Sequence, residues 1–310
     1  MQPPFNKMKK LILILVYGFL IWSCNEQAPT QLLDDTQTTN EEFEVEVLPR
    51  EQNIFDYASD YDSTGIIEPS QVDYSVITAN GIKNTFKNVT IRQAYFETVL
   101  LDKSMPLRHK SGRIIGFMSN TNGNVKFNNE LASVVQRKIS IMKNGIAVDT
   151  IAGTMFQLKK RYLFNNPNRF PYGSNVQFEY EKSMMGNHRM SLNIPTPNEI
   201  SGEIQLEGSR NTRNLKAKLN WNPLSNDNIE IIIGGTRNDK IKIKPLFRIR
   251  TKDDGELIIP WSFLRTIPFQ EFDQLIISFE RVRKNKITNQ IIGESLVVSK
   301  SIHNIRFEIP

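Results

Sequence analysis

One cysteine in 310 residues is too few for a disulfide framework, a cysteine-rich zinc site or CxxC redox chemistry. Three histidines leave little material for a histidine metal centre. Long apolar runs are scarce as well. The oiliest stretch, Leu11 to Trp22, spans about 18 Å as a helix, against a hydrocarbon core of about 30 Å, which excludes a polytopic helical membrane protein. The chain carries no nucleophile elbow, HExxH, P-loop, GxGxxG or EF-hand loop. Sustained helical periodicity is missing too. Hydrophobic residues make up 39% and charged residues 23%, which excludes disorder throughout. The length suits two domains and a tail.

At the N-terminus Lys9 and Lys10 precede the apolar stretch, which ends in Ser23-Cys24. A short cationic segment followed by a short apolar one reads as a secretory signal, with Met8 as the expected start and residues 1–7 as an extension. The end of this stretch, Ile21-Trp22-Ser23-Cys24, resembles the lipobox of bacterial lipoproteins. That pattern has an aliphatic residue three before the cysteine, a small one two before, and Gly, Ala or Ser just before. Trp22 departs from it. The resemblance implies cleavage before Cys24, a diacylglyceryl thioether on its sulfur and an acylated amino terminus. Two or more acyl chains, at about 0.8 kcal/mol per buried CH₂, anchor firmly where one does not. Asn25 in place of Asp implies delivery to the outer membrane, on a face the sequence leaves open. The competing reading is an ordinary signal peptide with an incidental cysteine.

Charge is divided along the chain. Residues 25–73 hold 13 Asp or Glu and a single basic residue, Arg50; from residue 74 onward there are 35 Lys or Arg against 20 acids. This reads as a flexible acidic tether on a basic body. One stretch of the tether, Glu42-Phe43-Glu44-Val45-Glu46-Val47, alternates as a half-buried strand does. Lys240-Ile241-Lys242-Ile243-Lys244 alternates with the opposite charge. Facing strands of opposite charge attract by about 0.2–1 kcal/mol per pair. Two readings stay open: a solvated linker, or a tether docked on the body near the lysine strand.

From residue 74 the pattern is short alternating runs with turn signals every 8–12 residues or so. Val89, Ile91, Gln93 and Tyr95 share one face; Arg92, Ala94 and Phe96 share the other. Asn122-Gly123 and Asn144-Gly145 each predict a hairpin. Val176/Phe178/Tyr180 and Met190/Leu192/Ile194 predict two more strands, and Pro195-Thr196-Pro197 marks a domain boundary. Leu215 to Trp221, Ile229 to Ile233 and Leu275 to Phe279 follow, with a turn or bulge at Gly234-Gly235 and one helical turn within 261–267. A final pair of strands is expected around 291–298 and 302–309. The expected fold is all-β: signal peptide 1–23, acidic lipid-anchored tether 24–73, and two tandem β-sandwich domains at 74–198 and 199–310.

The runs LNWNP (219–223), DDGELIIPWSFLRTIP (253–268) and QLIISFER (274–281), with the strands of 139–197, carry a second resemblance. They are similar to immunoglobulin-like and fibronectin type III-like domains of Bacteroidota lipoproteins. That resemblance implies architecture and compartment; it transfers no functional residues.

His109, His188 and His303 lie far apart in sequence and predict surface positions rather than a triad or metal site. Asp253, Asp254 and Glu256 read as a turn, with weak calcium binding as the sharper alternative. Basic clusters occur at 159–161, at Arg210/Arg213/Lys216/Lys218, at Lys240/Lys242/Lys244 and at 281–286. Export excludes nucleic acid as their partner and leaves lipopolysaccharide, acidic glycans or acidic protein. Tyr162, Phe164, Phe170 and Tyr172, near 165–169, read either as a sugar-stacking loop or as rings packed on a sandwich. Asp62-Ser63-Thr64 and Asp149-Thr150-Ile151 resemble a short O-glycosylation motif of the same bacteria.

The expected function is a noncatalytic, lipid-anchored binding or structural module of the outer membrane, with the membrane and an envelope protein complex as partners. Glycan or polyanion recognition is the alternative within binding. A cell-envelope hydrolase with a site between the domains is the alternative in another class. Lipid attachment is assigned to Cys24; no catalytic, metal or cofactor-binding residue is assigned. Replacing the acceptor sulfur, Cys24→Ser, should move the chain from the membrane to the soluble fraction and remove the lipid mass from its N-terminal peptide. A wild-type chain recovered uncleaved with a free thiol would overturn the assignment.

Overall fold

The computed structural model describes residues 43–48, 55–56, 74–87, 89–108, 112, 114–143, 146–162, 170–182, 189–224, 228–237 and 243–308. The expected all-β class is what it contains. Strands β1 (Glu44–Val47), β2 (Phe55–Asp56), β3 (Ser75–Phe86), β4 (Val89–Arg108), β5 (Ile114–Asn120) and β6 (Asn124–Phe127) come first. Next are β7 (Glu130–Leu131), β8 (Ser133–Lys143), β9 (Ile146–Tyr162), β10 (Asn175–Glu181), β11 (Arg189–Pro195) and β12 (Gly202–Glu207). Then come β13 (Lys216–Trp221), β14 (Asn228–Thr236), β15 (Lys244–Lys252) and β16 (Glu256–Ile259). A single helical turn, α1 (Trp261–Leu264), sits where the sequence predicts one, and β17 (Gln274–Asn289) and β18 (Gly293–Glu308) close the chain.

Eleven of these strands form one sheet, in the order β1-β15-β14-β17-β18-β3-β4-β5-β9-β8-β2, with β4 also paired to β9. Two small sheets, β11-β10-β6-β7 and β12-β13-β16, cover one face of it. The cover creates two cores. Residues such as Ile77, Phe96, Phe127, Phe156 and Phe178 fill the first. Leu219, Ile231, Ile249, Leu257, Ile277 and Phe279 fill the second. Period-two alternation explains both, because β3, β4, β14 and β17 each aim every second side chain at a core.

The β17–β18 hairpin serves both cores. Its base contributes Leu275, Ile277 and Phe279 to the second, and its far end brings Val297, with Ile287, Ile291 and Ile292, to the first. Strand β18 then pairs in parallel with β3, from Ser295 opposite Ser75 to Arg306 opposite Phe86. The two strands expected at 291–298 and 302–309 are therefore one strand, β18. The polar stretch between them stays extended because it pairs with β17 on one side and β3 on the other.

The predicted hairpin at Asn144-Gly145 is present, with Lys143 opposite Ile146. The two strands predicted within 176–194 are present and pair antiparallel, with Val176 opposite Ile194 and Tyr180 opposite Met190. The register shift at Ile233/Gly234 is the predicted bulge. Asn122-Gly123 is not a hairpin. Here the chain leaves the large sheet at β5 and enters a small one at β6. Gly123 has φ +131°, and a Cβ on it would lie 2.1 Å from the Glu181 carbonyl oxygen. The glycine serves a close backbone crossing rather than a two-residue turn.

Residues 44–47, read on sequence as tether, form edge strand β1 on β15. Their carboxylates meet arginines of β15, the strand that Lys244 opens, so this stretch docks on the body; Lys240 and Lys242 lie outside the described residues. Glu46 Oε2 is 3.1 Å from Arg248 Nη1, and Glu44 Oε2 is 3.5 Å from Arg250 Nη1. Glu230 flanks both guanidinium groups, at 3.5 Å from Arg248 and 3.4 Å from Arg250. Phe43 and Val45 pack against the second core. The Glu44–Arg250 pair is exposed and contributes about 0.2–1 kcal/mol, while Glu46 reaches a buried Arg248; the apolar contacts and strand hydrogen bonds complete the docking. Reversing both charges (E44K/E46K) should release β1 alone. Amide exchange over 43–48 is expected to rise by an order of magnitude or so while the melting temperature of the body changes little.

Candidate functional site: a polar crossing between two cores

Residues 195–202 carry the chain from β11 to β12, and so from one core to the other. Backbone passing between two apolar cores must have its N–H and C=O groups matched. Strand β18 supplies the partners. Its core-facing positions read Val297, Ser299, Ser301, His303, Ile305, an apolar face interrupted by three polar side chains. Ser299 Oγ donates to the Pro195 carbonyl at 2.6 Å, and the Ile200 N–H donates to Ser301 Oγ at 2.9 Å. The Gly202 N–H donates to His303 Nδ1 at 2.8 Å. Gly202 allows this approach: a Cβ there would sit 2.4 Å from the Phe279 ring.

The bond at Nδ1 fixes the tautomer. His303 carries its proton on Nε2, which donates to Thr85 Oγ1 at 2.9 Å. Burial, then the positive charges of Lys83 and Arg92, push its pKa down to about 3. The ring is neutral throughout the physiological range and both nitrogens are engaged.

Lys83, opposite His303 in the β3–β18 register, donates from Nζ to Ser201 Oγ at 2.8 Å. Burial lowers its pKa, Glu199 opposes that shift and Arg92 adds to it. Arg92 Nε is 3.5 Å from Glu199 Oε1. A lysine bonded to a serine hydroxyl has the makings of a nucleophile and its base, once the lysine is deprotonated. Acyl transfer also needs N–H groups aimed at a developing oxyanion. The Ser201 N–H donates to Asn222 Oδ1 at 2.6 Å and the Gly202 N–H to His303, so the two nearest donors are engaged. These bonds tie the crossing segment to β3 and β18.

A second knot closes the crossing from the far side. Arg281 donates from Nε to Asp253 Oδ2 at 2.7 Å and from Nη2 to Asp253 Oδ1 at 2.9 Å. Trp221 Nε1 donates to the same carboxylate at 2.9 Å, and Arg281 Nη1 reaches the Glu199 carbonyl at 2.9 Å. Asp253 is thus a buried counter-ion. Its neighbour Glu256 pairs with Lys218 at 3.1 Å, so these acids serve the turn and the fold.

The other sequence candidates are placed as follows. Cys24, His109 and His188 lie outside the described residues, as do Asp62-Ser63-Thr64 and Phe164 to Arg169. Thr150 and Ile151 lie in β9. The basic clusters are divided among different partners. Lys160 pairs with Glu130, Lys244 lies 3.8 Å from Glu271, Arg210 stacks 4.4 Å from the Phe269 centroid, and Arg281 is buried. Tyr162 and Phe170 belong to the first core, and Tyr172 meets Phe170 edge-on at 4.8 Å. These rings follow the packing reading. Sequence reasoning missed the crossing, although the polar break at 299, 301 and 303 was its visible sign.

The depressed pKa of His303 has a consequence for stability. Unfolded chains bind a proton at this histidine below about pH 6.5, whereas the folded protein does so only near pH 3. Stability should therefore fall as pH drops through 6.5 and continue falling toward 3. His303→Asn, which retains an acceptor for the Gly202 N–H, should be less stable at pH 7 and flatter between pH 5 and 6.5 by denaturant midpoint. Equal slopes for variant and wild type would assign the dependence to other groups. Compared with known families, curated proteins and solved structures, the chain matches none.

Proposed function

We propose that the protein is a noncatalytic, lipid-anchored module of the bacterial outer membrane that binds or supports other envelope proteins. The observation that carries the reading is the state of the crossing. Lys83 and Ser201 are hydrogen-bonded to each other, His303 is hydrogen-bonded to Thr85 and to the Gly202 backbone, and Arg92 is ion-paired with Glu199, in the role of structural fasteners. The export signal and the Cys24 context supply the compartment, as expectations from sequence.

A surface for partners lies at the β3–β4 turn. Phe86 is opposite Val89, and Asn84 is opposite Ile91; Phe86, Val89 and Ile91 are exposed on one side of the sheet, next to the cation of Lys87. Clustered exposed apolar side chains of this kind mark protein contacts.

Mild crosslinking in intact cells followed by affinity capture tests the proposal. The wild-type chain should recover a discrete set of envelope proteins, and F86A/V89S/I91S should recover at least several-fold less with an unchanged melting temperature. Capture of the bare chain alone, or hydrolysis of an ester substrate that disappears with Ser201→Ala, would overturn it.

A further inference from the structure

One row of side chains on β15 reads Lys244, Leu246, Arg248, Arg250, Lys252, a cation at four of five alternate positions. Strand β1 occupies the middle of this edge and no more. It is four residues long against nine in β15, and its register runs only from Phe247 to Arg250. Lys252, the next cation in the row, is exposed and lies past the end of β1.

Strand β1 is also held lightly. Val47 is 52% exposed and the Glu44 side chain 69%. Among the described residues β15 is its only strand partner. The arginines do not depend on it. Glu230 lies 3.5 Å from Arg248 Nε and 3.4 Å from Arg250 Nε, so both keep a counter-ion when β1 leaves. On its other side β15 is paired along its length by β14, from Asn228 opposite Lys252 to Gly235 opposite Lys244. The edge is therefore preformed, which lowers the cost of filling it.

Cations spaced two residues apart select a ligand. Side chains of an added strand alternate, so an acid at every second residue meets the row, and the residues between turn to the second core, as Phe43 and Val45 do. Main-chain hydrogen bonds supply attraction that any extended sequence can share; the charge row supplies discrimination.

We propose that the β15 edge is a recognition site for an extended segment of a partner protein in which acidic and apolar residues alternate, with β1 as its short resident occupant. A segment with three acids in this pattern meets Lys252 as well as Arg248 and Arg250, and displaces β1 by strand exchange. This gives the binding role proposed above a partner chemistry and rests on that role; peptide titration probes the edge itself and capture from cells probes the role, so the two can fail separately.

The probe is a labelled synthetic peptide, EFEVEV, with KFKVKV as its control. In full-length F43S/E44S/V45S/E46S the resident strand no longer competes. This variant should bind EFEVEV on the order of tenfold more tightly than the wild type does, because the open edge is then the main state. Adding K252E should weaken that binding several-fold, as should added salt. KFKVKV should not bind. In the wild type, saturating EFEVEV should speed amide exchange over 43–48 and leave the body unchanged. No binding to the opened chain, equal affinity for the two peptides, or equal affinity of wild type and variant would overturn the proposal. So would a wild-type dimer mass that the serine variant loses, which would make the strand of a second copy the occupant. If the serine variant does not fold, exchange in the wild type still decides, and an unchanged rate over 43–48 at saturating peptide would overturn the site.

Discussion

Two cores share one sheet, and the chain has to pass between them without leaving backbone groups unmatched. That constraint governs the centre of the molecule. Strand β18 meets it by giving up apolar side chains at three successive core-facing positions, Ser299, Ser301 and His303. It also pairs in parallel with β3, more than two hundred residues away in sequence. Parallel pairing of such distant segments costs loop-closure entropy before it is rewarded, which makes this an expensive contact to form. The hairpin of β17 and β18 then acts as a shared beam, with one end in each core.

Much of the architecture is local and was therefore legible. Alternation in 176–180, 190–194 and 275–279 gave the strands, Asn144-Gly145 the turn, Gly234 the bulge and 261–267 the helical turn. What could not be read is what depends on a distant partner. Asn122-Gly123 has the residues of a hairpin, yet the crossing past Glu181 decides its conformation. The break at 299–303 resembles a loop between strands because its hydrogen-bond partners lie about a hundred residues upstream. The alternating glutamates of 42–47 announced a strand, but only tertiary structure assigns its face to Arg248 and Arg250. The candidate site left a weaker trace still, since lysine, serine and histidine at 83, 201 and 303 form no motif.

The charge division also acquires a physical meaning. The body is strongly basic by composition, but many of its cations answer particular carboxylates: Arg281 holds Asp253, Lys300 holds Glu280, and Arg248 is shared between Glu46 and Glu230. Buried pairs of this sort fix geometry more than they add stability, because desolvation offsets most of the attraction. The acidic stretch before the body is in part its electrostatic complement.

The pairing of β1 with β15 also sets a distance. With Cys24 as the lipid-bearing residue, the stem between membrane and body ends at Phe43 and not at Tyr74. Fully extended, it measures about 65 Å, where the longer stem would measure about 170 Å. On the proposed lipid anchor, the shorter length would confine the body to a shell close to the bilayer, within reach of neighbours embedded in the same leaflet and out of reach of anything across a wide gap.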